Sequence, residues 1–156
     1  ESGNMSFHCE DCSAHHFAET VYQTHQVIIL PPVEFIKEFP DEDVTIHIDR
    51  MRLTQVITNF LGNAKKFTSQ GHIKLGYFCD KEKKEIHFFV EDTGAGIPKE
   101  ELQMIFERFY KRNEFVQGVG LGLAISKVIV EKMNGHIDVQ SEVNKGSRFT
   151  AVLPYL

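Results

Sequence analysis

Apolar positions along the 156-residue chain follow two periods. From Arg50 to Phe67, Leu53, Val56, Ile57, Phe60, Leu61 and Ala64 recur at the spacing of an amphipathic helix. Ser6 to about Tyr22 reads as another helix, with Ser6 as its cap and Phe7, Phe17 and Val21 among its apolar positions. Lys99 to Phe109 reads as helical, with Leu102, Ile105, Phe106 and Phe109 on one face. A glycine-rich stretch then leads into a helix to about Met133, where Asn134-Gly135 supplies a left-handed stop. Strands are predicted at Val33–Phe39, Val44–Ile48, Ile73–Cys79, Ile86–Glu91, Ile137–Gln140 and Phe149–Leu153. The first two are joined by the acidic turn Pro40-Asp41-Glu42-Asp43, the next two by the polar loop Asp80–Lys84, and the last two near Asn144-Lys145-Gly146. About three long helices and a set of mostly local hairpins predict helices layered on one face of a mixed sheet.

Composition adds the class. Apolar residues make up 42% and charged residues 25%, as in a soluble globular domain with enough chain for a core. No apolar run nears the roughly 18 residues of a membrane helix, and no signal peptide is visible. Three cysteines are too few for a disulfide framework and point to a reducing, cytoplasmic setting. Glu1 to Asn4 read as a remnant, which leaves 5–156 as one domain. The net charge of −5 disfavours a nucleic-acid partner. Residues 1–49 hold one basic residue, Lys37, against ten acidic ones, whereas residues 50–156 hold sixteen basic against twelve acidic. An anionic ligand therefore belongs with the second part, or arrives with a metal ion.

Three stretches carry chemistry. On the helix from Arg50, Asn59, Asn63 and Lys66 fall in one narrow arc beside the apolar stripe, while Lys65 points elsewhere. Two carboxamides and an ammonium in a row can hold a hard cation and a polyphosphate. Taken alone, the same arc is equally a solvated face. Asp92-Thr93-Gly94-Ala95-Gly96-Ile97 follows a strand directly, so Asp92 can face a pocket and the glycines allow close backbone approach; alone it is also a plain turn. Gly118-Val119-Gly120-Leu121-Gly122-Leu123 opens a helix, where backbone amides favour phosphate. It is neither a Walker A loop nor a dinucleotide fingerprint.

Together these stretches resemble the catalytic and ATP-binding domain of sensor histidine kinases. Asp49 to Val56, leading into Asn59-Phe60-Leu61-Gly62-Asn63-Ala64-Lys65-Lys66-Phe67-Thr68, is similar to the family's N box. Asp92 to Ile97 is similar to its first glycine box, Ile105 to Tyr110 to its F box, and Gly118 to Leu123 to its second glycine box. Lys145-Gly146-Ser147 matches the closing glycine motif. The likeness covers about Val44 to Leu153, and its specificity lies in the order and spacing of the motifs.

The resemblance implies a two-layer α/β sandwich shared with type II topoisomerases and mismatch-repair ATPases. About three helices would pack on a mixed, mostly antiparallel sheet of about five strands, with a mobile ATP lid. It implies ATP and Mg²⁺ as ligands. Asp92 would accept the exocyclic amine of adenine, with Gly94, Gly96 and Ile97 at the base pocket. Asn63 would ligate Mg²⁺, and Asn59 and Lys66 would position phosphate oxygens. Tyr110 to Gln117 would form the lid, and Arg108, Lys111 and Arg112 would meet the γ-phosphate. Gly118, Gly120, Leu121, Gly122 and Leu123 would close on the triphosphate. Related hydrolytic ATPases carry a glutamate at the Asn59 position, and a carboxamide is no general base, so little hydrolysis is expected.

The family's phosphoacceptor motif, a histidine followed by an acidic residue and then a proline, fits none of the eight histidines. The expectation is an isolated, monomeric domain that donates phosphate to a histidine on a separate dimerisation domain of a parent kinase, and indirectly to a response regulator. The sequence names neither stimulus nor regulator nor membrane anchor. Two other readings stay open: a non-catalytic nucleotide- or partner-binding module, and a serine kinase of the anti-sigma type. His8, Cys9, Cys12, His15 and His16 have metal-like spacing, but the same stretch reads as a helix with two ordinary cysteines one turn apart.

Overall fold

The computed structural model describes residues 6–102, 104–106 and 119–155, excepting the side chains of 119–121. The longest helix, α2 (Arg50–Phe67), begins where the Asp49 carboxylate accepts the Arg52 amide at 3.1 Å. That is the N-cap role for which a short acidic side chain is suited. Its apolar stripe, including Leu53, Val56, Ile57 and Phe60, is buried against a five-stranded sheet. The strands are β2 (Val33–Glu38), β4 (Gly71–Asp80), β5 (Glu85–Asp92), β7 (Gly146–Pro154) and β6 (His136–Glu142), in that spatial order. β2 runs parallel to β4 and every other pair is antiparallel. Alternate residues of the central strands, such as Ile73, Leu75, Phe88, Val90, Phe149 and Ala151, point to the helices. α1 (Ala14–Gln26) contributes Phe17 and Val21 to this core, and α3 (Val119–Lys132) contributes Ile129 and Val130.

These layers are the sandwich that the motifs imply, and the α2 bounds agree with the apolar periodicity. The first fifty residues differ. Residues 6–9 precede a strand, β1 (Glu10–Ser13), which pairs antiparallel with β3 (Thr45–Ile48) in a separate two-stranded sheet. The helix cap is therefore Ser13, whose Oγ accepts the His16 amide at 3.0 Å, and Ser6 caps nothing. Cys9 and Cys12 do not share a helix, and they belong to no converging metal-ligand group among the described residues. β2 and β3 form no hairpin, because each finds its partner far away in sequence. Lys99 to Phe109 is also not an α-helix over its described part. Lys99–Glu101 is one 3₁₀ turn, with turns at 102 and 104–106. Ile105 is still buried and Phe106 packs edge-on to Phe149, so apolar spacing was satisfied by turns rather than by a helix. No helix among the described residues is long and apolar enough to cross a membrane.

Candidate functional site

Asp92 is the last residue of β5. Its even register position points it to the helix side of the sheet, where it is 8% exposed. Burial is the largest influence on its carboxyl and raises its pKa above the ordinary value. The Gly94 amide at 2.8 Å, the Ser147 amide and the Thr68 hydroxyl pull it only part of the way back. Thr68 itself is 6% exposed, and its Oγ1 approaches Asp92 without a well-formed hydrogen bond and is otherwise left without a partner. A buried hydroxyl lacking a partner carries a desolvation cost of about 1–3 kcal/mol that a bound polar group would relieve.

Three segments clamp the turn after Asp92. The Ala95 amide donates to the Phe67 carbonyl at the end of α2 (3.2 Å), and the Asn144 amide of the β6–β7 turn donates to the Ala95 carbonyl (2.7 Å). Ser141 Oγ accepts the Ile97 amide at 2.7 Å and lies 2.8 Å from Ser147 Oγ. The glycines serve this clamp. A Cβ on Gly94 would overlap the Phe67 carbonyl and stand 2.7 Å from Thr68 Oγ1. One on Gly96 would overlap the Glu142 carbonyl, so the space beside both glycines is filled by protein backbone. Both glycines allow the backbone segments of the clamp to approach this closely. Their part is to place Asp92, and Ile97 packs into the core beside them.

On α2, Asn63 is half-buried and Lys66 exposed, on the arc read from the sequence. Asn59 reaches across to α3: its Nδ2 donates to the Gly122 carbonyl at 3.1 Å and to Ser126 Oγ at 3.0 Å. Gly120, Leu121, Gly122 and Leu123 lie within the first turns of α3. The first amides of a helix have no intrahelical acceptor, so this end can donate to an anion. Leu123, at 3% exposed, is a core residue, which leaves only its backbone for such a role. Arg108, Tyr110, Lys111, Arg112 and Gly118 lie outside the described residues. Thr68, Ser141 and Ser147 were not singled out for roles from the sequence. Thr68 and Ser147 stood inside quoted motifs, but nothing local distinguishes their hydroxyls from ordinary turn residues.

The donor set suits a magnesium nucleotide. The described residues bring three or more His, Cys, Asp or Glu ligands together only at Asp80, Glu85 and His87, on the opposite face of the sheet. At Asn63 the protein offers a neutral oxygen ligand, as fits Mg²⁺, which retains waters and takes phosphate oxygens. The orphaned Thr68 hydroxyl beside a buried carboxylate similarly fits a polar heterocycle.

Residues 48–156 match the family described as Histidine kinase-, DNA gyrase B-, and HSP90-like ATPase. The chain is 38% identical over 128 residues to the sensor histidine kinase WalK of Bacillus subtilis (strain 168), which covers 79% of this chain and 21% of that protein. It is 44% identical over 110 residues to the sensor protein SrrB of Staphylococcus aureus (strain NCTC 8325 / PS 47), covering 68% of this chain and 19% of that protein. The chain thus spans about a fifth of these relatives. Among solved structures, full-length ShkA in complex with AMPPNP superposes with a TM-score of 0.87 at 28% identity, over 97% of this chain and 32% of that one. The nucleotide-free catalytic domain of the histidine kinase ThkA gives 0.82 at 25% identity, over 96% and 97%. The fold and the site define an ATPase domain of the kind found in sensor histidine kinases. The chain belongs to the histidine kinase, gyrase B and HSP90-like ATPase family.

Proposed function

We propose that the chain binds Mg-ATP between α2, the Asp92 turn and the start of α3, and donates the γ-phosphoryl group to a histidine on a separate dimerisation domain of a parent kinase. The observation that carries this reading is the buried Asp92 carboxylate beside the unpartnered Thr68 hydroxyl. Asp92 accepts the adenine amine, and the Thr68 and Ser147 hydroxyls flank it. Asn63 offers Oδ1 to Mg²⁺, whose charge offsets that of the phosphates. Lys66 and the α3 amides serve the phosphates, with Asn59 beside Asn63 on α2; the family resemblance adds Arg108, Tyr110, Lys111 and Gly118, which lie outside the described residues. In the transfer, an imidazole nitrogen forms a bond to the γ-phosphorus, the bond to the β–γ bridging oxygen breaks, and ADP leaves. A response regulator then takes the phosphoryl group from that histidine. The domain contributes positioning and electrostatics. Asn59 cannot activate water as a base, so steady-state hydrolysis by this chain alone stays far below phosphotransfer.

Calorimetric titration with a non-hydrolysable ATP analogue, with and without Mg²⁺, tests the reading. Asp92→Ala should abolish binding, and Asn63→Ala should remove its Mg²⁺ dependence. A folded wild type that binds no nucleotide would overturn the reading. Binding with no transfer to any supplied acceptor domain would favour a nucleotide-binding module.

A further inference from the structure

A buried serine on a helix that packs with its apolar side needs a partner, since an unpaired hydroxyl in a core costs about 1–3 kcal/mol. Ser126 is such a residue: it is 0% exposed, on the side of α3 that also buries Leu123, Ile129 and Val130. Its hydroxyl receives a hydrogen bond from Asn59 Nδ2 at 3.0 Å. The second hydrogen of that amide goes to the Gly122 carbonyl at 3.1 Å. The carboxamide lies against Gly122, where a Cβ would stand 3.4–3.6 Å from its Cγ, Oδ1 and Nδ2.

A primary carboxamide has two hydrogens to donate and one oxygen to accept with. Both Asn59 hydrogens are spent on α3, so phosphate oxygens cannot receive them. Only Oδ1 remains for a ligand, and an oxygen serves a hard cation or its bound water. Without the Ser126 hydroxyl, one amide hydrogen loses its acceptor, and turning the carboxamide over becomes much less costly.

We propose that Ser126 is a positioning residue which, through Asn59, presents Oδ1 to the Mg²⁺ side of the nucleotide site. The inference rests on the Mg-ATP reading above and assigns Asn59 its atom. Ser126 touches no ligand. It acts on α2 from α3, and so ties the metal-facing helix to the helix whose start faces the phosphates.

The test is a double-mutant cycle on this chain with Ser126→Ala, Asn59→Ala and the pair. It is read as the ratio of affinities for the non-hydrolysable ATP analogue with and without Mg²⁺. Outer-shell partners of metal ligands are worth about 10–100-fold in metal affinity, so Ser126→Ala should cut that ratio on the order of tenfold. In the Asn59→Ala background the same change should do nothing more. An unaltered ratio in Ser126→Ala, or an equal loss with Asn59 absent, overturns the proposal. Hydrogen exchange of the Asn59 side-chain amide, followed by NMR without nucleotide, gives a second reading. It should be slow in the wild type and fast in Ser126→Ala, and equal rates overturn the proposal. Failure of the wild type to bind the analogue at all would instead overturn the underlying Mg-ATP reading, while the amide exchange would still report on Ser126.

Discussion

At Asp92, function and stability pull in opposite directions. Burial raises its carboxyl above the usual range, and the Gly94 and Ser147 amides, with the Thr68 hydroxyl nearby, only partly offset this. A carboxyl raised in the fold holds its proton more readily there than in the unfolded chain. Its stabilising contribution is complete below the unfolded pKa and is lost as the pH rises through the folded value. On the alkaline side of that window the buried carboxyl costs stability, the kind of cost that functional sites often carry. Asp92→Asn removes the charge and keeps an oxygen for the Gly94 amide. Its melting temperature at pH 7 should equal or exceed that of the wild type, by about 2–4 °C for each kcal/mol regained. Its affinity for an ATP analogue should fall on the order of tenfold or more, as expected where stability and activity trade off. A less stable variant with intact affinity would contradict this account. Asp92, Asn59, Asn63 and Lys66 are legible in the sequence as candidates because each sits in a patterned local context. Thr68, Ser147 and Ser126 are not, because the meaning of their hydroxyls comes from partners brought in by the fold.

The Asp92 turn is a joint between three elements: the end of α2, the end of β5 and the β6–β7 hairpin. Gly146, with φ +128°, sits where a Cβ would overlap the Asp92 carbonyl. Gly146→Ala therefore strains the backbone and pushes β7 away from β5 at the register pair Asp92–Ser147. The expected cost is about 1–3 kcal/mol of stability, read by chemical denaturation, with a loss of nucleotide affinity in the fraction that stays folded. An unchanged denaturation midpoint would show that the joint yields more than this packing allows. Such joints also mark where reading from sequence ends. α2 was legible with its bounds because its period, cap and stripe are local. β1 was not, since a four-residue edge strand is defined by its pairing with β3, more than thirty residues on. The 3₁₀ turn at Lys99–Glu101 reads as a longer helix in the sequence because a buried Ile105 satisfies helical spacing equally well within a series of turns.

Across the whole molecule, the sheet separates two environments. One face carries the helices, the core and the candidate site. The other, formed by alternate residues including His72, Lys74, Phe78, His87, Phe89, Glu91, Arg148 and Thr150, has no helix packed on it among the described residues. Phe89 on this bare face is nevertheless buried: its ring lies over Gly76 and near Phe78, and the Arg148 guanidinium, paired with Glu91 at 3.4 Å, lies 3.9 Å from its ring centre. A flat cation over an aromatic ring, with its stem along apolar surface, substitutes for a covering helix. Arg148→Ala uncovers that ring and should cost about 1–2 kcal/mol, seen as a lower melting temperature. Arg148→Lys should recover only part of this, since an ammonium lacks the planar stacking surface. Arg148 follows Ser147 directly in the chain, yet alternation along β7 turns the two side chains to opposite faces. Nucleotide affinity should therefore stay within about twofold of the wild type once measured well below the melting transition. A loss of affinity as large as that of Asp92→Ala, with stability unmoved, would mean that the sheet does not insulate its two faces. The site would then extend through β7 to the bare side.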